Sequence, residues 1–228
     1  MTRRAMIRTI AETGSTNDDV AALARNGAAE GLWLRAGRQT GGKGRQGRAW
    51  VSPPGNLHAS TLVRLRPGDP PAPTLALVAA VALHEAAARH APRARIKWPN
   101  DLLVEGAKLA GILLERQGDA VVIGFGVNLA HHPADLDRPA VSLDPPVPAP
   151  AFLNRLAAAF AAWLARWRAE GLAPVRIAWL AAAHPVGTSL AAGDARGAFD
   201  GLDESGALRL RLADGSSHVI HAGDVFLV

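Results

Sequence analysis

The densest chemistry in the chain lies in ten residues, Gly41 to Trp50, which read Gly-Gly-Lys-Gly-Arg-Gln-Gly-Arg-Ala-Trp. Gly41, Gly42, Gly44 and Gly47 free the backbone to take positive φ, so that successive N–H groups can converge on an anion. Lys43, Arg45 and Arg48 stand among them and add fixed positive charge. A flexible linker has no use for three cations and a tryptophan within its turns. The loop is therefore expected to hold a phosphate or a carboxylate. It is not a Walker loop, because neither Ser nor Thr follows Lys43. Gly42, Gly44 and Gly47 keep the glycine spacing of a dinucleotide fingerprint, but the chain then runs through Trp50 into a Ser-Pro-Pro-Gly turn rather than a helix.

Other polar residues could join that loop in one site. In Arg95-Ile96-Lys97-Trp98-Pro99-Asn100-Asp101, Pro99 biases Trp98 toward extended backbone, so Lys97 sits at a strand end and Asn100-Asp101 turns the chain. Ser15-Thr16-Asn17 precedes Asp18, Asp19 and an apolar run from Val20, with Asn26-Gly27 beyond it. That order predicts a short helix, capped by Ser15 or Thr16 and stopped at Gly27, with acids at its positive end. Capping alone would account for Ser15 to Asn17; a role as ligands depends on their neighbours. Asn128 is a polar residue where a strongly apolar strand emerges.

The elements that must position these groups follow from pattern. Gly31 to Gly37 reads as a strand delivering Gln39 and the basic loop, and Leu57 to Leu65 as the next strand. Thr74 to His90 has helical spacing. Leu102 to Val104 and Lys108 to Glu115 form a hairpin about Glu105-Gly106, and Ala120 to Val127 is a further strand. The proline-rich stretch from His131 to Pro150 reads as a surface loop. Ala151 to Glu170 is a helix whose stripe of Phe152, Leu156, Phe160, Trp163, Leu164 and Trp167 is a core face, and Pro174 to Ala183 is another helix. After Pro185 closely spaced turn signals mark a small antiparallel β unit. A domain boundary is placed near Ala183, giving residues 1–183 and 184–228.

Composition narrows the function. At 228 residues the chain can bury a sizeable core without a staple. It has no cysteine, so disulfides and cysteine zinc sites are excluded, and the simplest compartment is the cytoplasm. No signal segment follows the basic start and no stretch is apolar enough to span a membrane. The net charge is +5 and the pI 10.8. The basic residues are nearly all arginines spread along the chain, with no reading helix or aromatic platform, so specific DNA binding is not expected. His84 and His90 point apart on one helix, and His218 and His221 have no acidic partner in ligand spacing, so no intrinsic metal site is expected.

Ser15-Thr16-Asn17, Gln39 with Gly41 to Trp50, Lys97-Trp98-Pro99-Asn100-Asp101, Lys108 to Leu113 and Gly124 to Asn128 occur together and in order. In this the chain resembles the biotin protein ligase family over nearly its whole length. The resemblance implies an α/β (α+β) fold: a mixed-sheet catalytic domain related to class II synthetases, and a small C-terminal SH3-like β domain. It implies ATP with Mg²⁺, biotin as substrate, biotinyl-AMP as intermediate, and a lysine of a biotin carboxyl carrier protein as acceptor. By motif position, Ser15, Thr16, Asn17 and Gln39 would line the biotin head pocket. Lys43, Gly44 and Arg45 would close over biotin and the adenylate, with Arg48 and Trp50 on the nucleotide side. Lys97 would lie between carboxylate and α-phosphate, Gly111 and Ile112 would present backbone to biotin, and Asn128 would reach ATP or its Mg²⁺.

Many members have Arg where this chain has Lys43, which keeps charge but loses the planar fork. Some members carry an N-terminal winged-helix repressor domain; the short segment before Ser15 has no room for one, so repressor function is not expected. A lipoate or octanoate ligase shares the implied chemistry, but a fatty chain would leave Ser15, Thr16, Asn17 and Gln39 unpaired. A non-catalytic biotin sensor has no need of Lys97, Arg45 and Arg48. Monomer and homodimer both remain open. If the basic charge serves the site alone, duplex DNA should bind weakly, without sequence preference and with steep salt dependence. A gel shift showing one tight, salt-resistant DNA complex would contradict that expectation.

Overall fold

A seven-stranded sheet carries the basic loop. The computed structural model describes residues 6–134 and 138–228; residues 1–5, in the basic start, and 135–137, in the predicted proline-rich loop, lie outside it. The strands are β1 (Met6–Thr13), β2 (Leu32–Gln39), β3 (Leu57–Arg64), β4 (Ala94–Lys97), β5 (Asp101–Val104), β6 (Ala107–Gln117) and β7 (Ala120–Val127), in the order β1-β2-β3-β7-β6-β5-β4. β1 runs parallel to β2 and every other pairing is antiparallel. The sheet is therefore mixed, as expected.

Helices cover the two faces unequally. α1 (Thr16–Arg25) lies on one face, where Val20 and Ala24 pack against Leu34, Leu62 and Val122. α2 (Leu75–Ala87), α3 (Ala149–Glu170) and α4 (Ala173–Ala182) cover the other. α2 is buried nearly all round because it is enclosed by sheet and helices, which explains its lack of a polar face. The stripe predicted for α3 is core: Phe160 meets Trp33 and Phe125 edge-on, at ring centroids of 5.9 and 6.2 Å. Because α1 covers only part of its face, the rest of that face is left for a site.

Beyond α4, β8 (Ser189–Ala192), β9 (Ala195–Leu202), β10 (Leu208–Arg211), β11 (Ser217–Ile220) and β12 (Phe226–Leu227) form an antiparallel sheet in the order β11-β10-β9-β8-β12. Several boundaries differ from expectation for local reasons. β1 was not expected, because an edge strand with one solvated side shows no clean alternation. α3 begins at Ala149, with Pro150 in its first turn where the missing N–H costs nothing. Ser15 occupies the N-cap position of α1 in extended conformation, yet its hydroxyl caps no N–H. Gly27 stops α1 with φ of +80°, as predicted.

One charged strap ties the far end of this architecture. Arg168 on α3 donates to Glu30 at 2.7 and 2.8 Å, to Asp69 at 3.2 Å and to the Arg64 carbonyl at 2.8 Å. Burial pushes the Glu30 carboxyl up, but Arg168 and the Arg64 N–H together hold it below its ordinary value of 4.5. A lowered carboxylate contributes stability that is present above the unfolded value and lost as pH falls through the folded one. Arg168→Ala should cost about 2 kcal/mol at neutral pH, because it removes charge-assisted hydrogen bonds from half-buried Glu30 and Asp69, although both keep donors from Arg64 or Arg66. Urea unfolding at pH 7 and pH 3.5 should show that penalty shrinking in acid; an equal penalty at both would exclude the ion pair as its source.

Candidate active site

Four neighbouring strands set one transverse row of residues across the open part of the α1 face. Lys97 pairs in register with Asp101, Asp101 with Gly111, and Gly111 with Gly126. Lys97 Nζ donates to Asp101 Oδ2 at 3.1 Å, and Lys108 Nζ lies 2.6 Å from Asp101 Oδ1. Lys97 and Asp101 are both buried. Burial pushes the Lys97 ammonium pKa down, against the attraction of Asp101. Burial also pushes the Asp101 carboxyl up, but Lys108 and Lys97 outweigh it and hold the group below its ordinary range. The two glycines of the row leave a shelf for the indole of Trp50. A methyl on Gly126 would overlap that ring, and one on Gly111 would stand 3.3 Å from it.

The basic loop folds back on itself over this row. Lys43 and Ala49 form an isolated antiparallel bridge, and the Trp50 N–H donates to the Gly42 carbonyl at 2.9 Å. Gln46 and Gly47 both take positive φ at the tip. Lys43 is paired with Asp18 of α1 at 2.6 Å, which raises its ammonium pKa. Arg45 and Arg48 both reach Asp224 of the C-terminal sheet region, at 3.5 and 3.0 Å, and Arg45 also donates to Asn100 Oδ1 at 3.3 Å.

At the other end of the cleft lies an uncharged polar pocket. Gln39 Oε1 accepts from the Thr16 N–H at 2.8 Å and from its hydroxyl at 3.0 Å. Gln39 Nε2 donates to Ser52 Oγ at 3.1 Å. Asn17 is held by Ser60 at 2.6 Å and Glu115 at 2.7 Å. Ser15, Thr16 and Asn17 are each at most 4 % exposed. They lie at a helix start yet serve the cleft rather than the cap.

All the predicted site residues come together. Ser15, Thr16, Asn17, Gln39, Lys43, Gly44, Arg45, Arg48, Trp50, Lys97, Gly111, Ile112 and Asn128 line one cleft of about 280 Å³. Lys108, Asp101, Arg138 and Asp224 line it as well, and no role was expected of them. Lys108 was readable as part of a hairpin, and its chemistry appears only once β5 places Asp101 beside it. Asp224 follows Arg48 by 176 residues, so nothing local connects them. Among the described residues, no group of three or more His, Cys, Asp or Glu side chains could hold a metal ion. The Asn128 amide donates to the Lys108 carbonyl at 3.3 Å, which leaves its oxygen available to a ligand.

Fold and cleft together define a mixed α/β protein that binds a small molecule, with a neutral recognition pocket at one end and a cationic wall at the other. The chain belongs to the biotin/lipoate A/B protein ligase family, among its biotin protein ligases. Residues 13–128 match the family model of that name, and residues 188–228 match the model of the biotin protein ligase C-terminal domain. The biotin--[acetyl-CoA-carboxylase] ligase of Paracoccus denitrificans is 41% identical over 95% of this chain and 98% of its own length. A biotin protein ligase from Aquifex aeolicus, solved with biotin and ATP, has the same fold: TM-score 0.87 at 22% identity, over 98% of this chain and 99% of that one. The Leishmania major enzyme, solved with biotinyl-5-AMP, gives 0.70 at 25% identity, over 95% and 99%. The chain is thus an enzyme of the ligase class.

The Asp101 pair makes a prediction about charge. Asp101→Asn should leave Lys97 and Lys108 facing each other beside a buried neutral amide, at a cost of about 3 kcal/mol. Lys97 already has a lowered pKa, so the folded state binds fewer protons than the unfolded one between that value and 10.5, and its stability rises with pH there. Without Asp101 that window should widen toward neutrality. Melting curves at pH 7 and 9 should show the variant recovering stability relative to wild type; a constant deficit would mean that Asp101 acts by packing.

Proposed function

We propose that this ligase activates biotin with ATP to biotinyl-AMP and then transfers the biotinyl group to a lysine of a biotin carboxyl carrier protein, of acetyl-CoA carboxylase or a related carboxylase. One observation carries the reading: a single cleft joins the neutral pocket of Thr16, Asn17 and Gln39 to the cations Lys97, Lys108, Arg45 and Arg48. Biotin has both matching ends, a neutral ureido ring and a carboxylate. Thr16, Asn17 and Gln39 bind the ring, and the aliphatic chain runs past Ile112 and the Trp50 indole that rests on the Gly111–Gly126 shelf. Its carboxylate then arrives at Lys97.

In the first step a carboxylate oxygen attacks the α-phosphorus of ATP, the bond to the bridging oxygen breaks, and pyrophosphate leaves. Two anions must approach, and negative charge builds on the phosphoryl oxygens. Cations fixed before substrate arrives lower that barrier most, because they need not reorganise. Lys97 stands between carboxylate and α-phosphate, while Arg45, Arg48 and Trp50 hold the nucleotide, and Lys43 and Gly44 close the loop over the mixed anhydride. In the second step a carrier lysine amine attacks the acyl carbon, AMP leaves with the bonding pair, and the amine proton passes to solvent. Asn128 offers a neutral oxygen to the nucleotide or its Mg²⁺. Among the described residues no group of carboxylates gathers there to cage a metal. Residues 1–183 form the catalytic part and 184–228 the appended β domain, which reaches the cleft through Asp224.

Intact-mass analysis of a biotin carrier domain, after incubation with enzyme, ATP, Mg²⁺ and either biotin or lipoate, tests the reading. Biotinyl addition alone is expected; lipoyl addition would favour the sister activity. For the first half-reaction, Lys97→Ala should slow biotin-dependent exchange of pyrophosphate into ATP by about 10² to 10³ with melting temperature little changed, the usual cost of one preorganised donor. Exchange surviving within a few-fold would move the role to Arg45 or Arg48.

A further inference from the structure

A second cavity, of about 420 Å³, opens between β4 at the edge of the main sheet, the end of α4, and β9 and β10 of the C-terminal sheet; it shares no lining residue with the cleft. Its charges are out of balance. Arg95 from β4, Arg176 from α4 and Arg209 from β10 face one carboxylate, Asp200 on β9. Arg209 is paired with it at 2.6 Å. Among the described residues Arg95 and Arg176 find only carbonyl partners, Ala94 at 3.0 Å and Leu202 at 2.9 and 3.1 Å. A guanidinium has five N–H donors, so most of theirs are unused. Two nitrogens of the same wall, Arg209 Nε and His184 Nε2, are buried with no partner among the described residues. Buried polar atoms are normally paired, and two orphans beside surplus positive charge call for a ligand that brings acceptors. An isolated parallel bridge between Ile96 and Ala183 fixes the chain beside β4 just before His184. Burial, then Arg95 and Lys97, hold the His184 ring below its ordinary value of 6.5, so at neutral pH it is uncharged and donates one N–H. The remaining wall is apolar, with Leu180, Phe199 and Val186.

We propose that this cavity binds an organic phosphate monoester, with the phosphate among Arg95, Arg176, Arg209 and His184 and the apolar body against Leu180, Phe199 and Val186. Charge decides the head group. Three guanidiniums against one carboxylate leave two positive charges over, and a phosphate monoester near pH 7 carries about −1.5 to −2 with three acceptor oxygens. A carboxylate would neutralise only one. The guanidinium fork also matches phosphate oxygens two at a time. The apolar wall selects an esterified phosphate over the free ion. No step of the ligase reaction uses this cavity, so the proposal stands apart from the biotin reading.

The test titrates phenyl phosphate, inorganic phosphate and benzoate into the full chain at about 0.15 M salt, where loose surface attraction is screened. The His184 ring is followed by NMR, with His184→Gln identifying its signal. Phenyl phosphate should shift that signal saturably and raise the His184 pKa, because the bound anion offsets Arg95. Inorganic phosphate should bind at least about fivefold more weakly for want of apolar contact. Benzoate, with one charge, should bind at least about tenfold more weakly. Arg95→Gln should weaken phenyl phosphate by about tenfold or more, whereas Arg48→Gln, which removes a cation of the cleft, should leave its affinity unchanged. Arg209→Gln should act as Arg95→Gln does; if losing the Asp200 pair unfolds it, Arg95→Gln decides, since Arg95 makes no ion pair among the described residues. No saturable shift, or binding that is lost with Arg48→Gln and kept with Arg95→Gln, would overturn the site. Inorganic phosphate or benzoate binding as tightly as phenyl phosphate would overturn the ligand class. Carrier biotinylation enters none of these readouts, so the two proposals fail separately.

Discussion

Like-charge repulsion is the constraint around which the cleft is built. Lys97, Lys108, Arg45 and Arg48 line one small volume, and two ammonium groups about 6 Å apart at an effective dielectric near 20 repel by roughly 3 kcal/mol. The chain relieves this twice in the same way, by setting one aspartate between two cations. Asp101 stands between Lys97 and Lys108, and Asp224 between Arg45 and Arg48. Four cations against two anions leave a surplus that an anionic substrate neutralises. The site is paired enough to fold and charged enough to bind.

That solution explains features with no other evident purpose. Asp224 belongs to the C-terminal β region, so the loop's arginines tie that region to the main sheet. Asp101 opens β5 directly opposite Lys97, and the register that makes them partners also aligns Gly111 and Gly126. A bulkier residue at Gly126 would evict Trp50 from the shelf. Sheet pairing thus sets the charge pair, the shelf and the position of the aromatic ring at once, which is why the site sits on strands rather than on loops alone.

Legibility in the sequence followed the range of the interactions. β7 is found at Ala120–Val127, just where it was expected, because an apolar run between turn residues is a local signal. The hairpin about Glu105-Gly106 was equally readable: both residues take positive φ, and Gly106 does so without strain. β1 was not readable, since an edge strand buries too little to impose a pattern. The predicted cleft residues assembled because they were identified by chemical type and motif together. Lys108, Asp224, Ser60 and Glu115 went unassigned because their roles are pairings across strands or between sheets. Glu115, for instance, meets Asn17 across 98 positions of chain.

The division between lysine and arginine carries the same argument further. The chain has three lysines, Lys43, Lys97 and Lys108, among 25 basic residues, and all three line the cleft. Arginine serves where a fork is useful, as at Arg168, which spans Glu30, Asp69 and a carbonyl at once. At Asp101 two cations share one carboxylate that is only 7 % exposed, and both are lysines. Two compact ammonium groups reach it there, whereas the two guanidiniums that share a carboxylate do so at the more exposed Asp224. An ammonium can also have its pKa lowered by burial, as Lys97 does, so its charge is held less tightly than a guanidinium's and responds more strongly to an arriving anion. In a chain otherwise committed to arginine, Lys97 and Lys108 stand where two charges must share one buried carboxylate, whereas Lys43 pairs with Asp18 at the exposed edge.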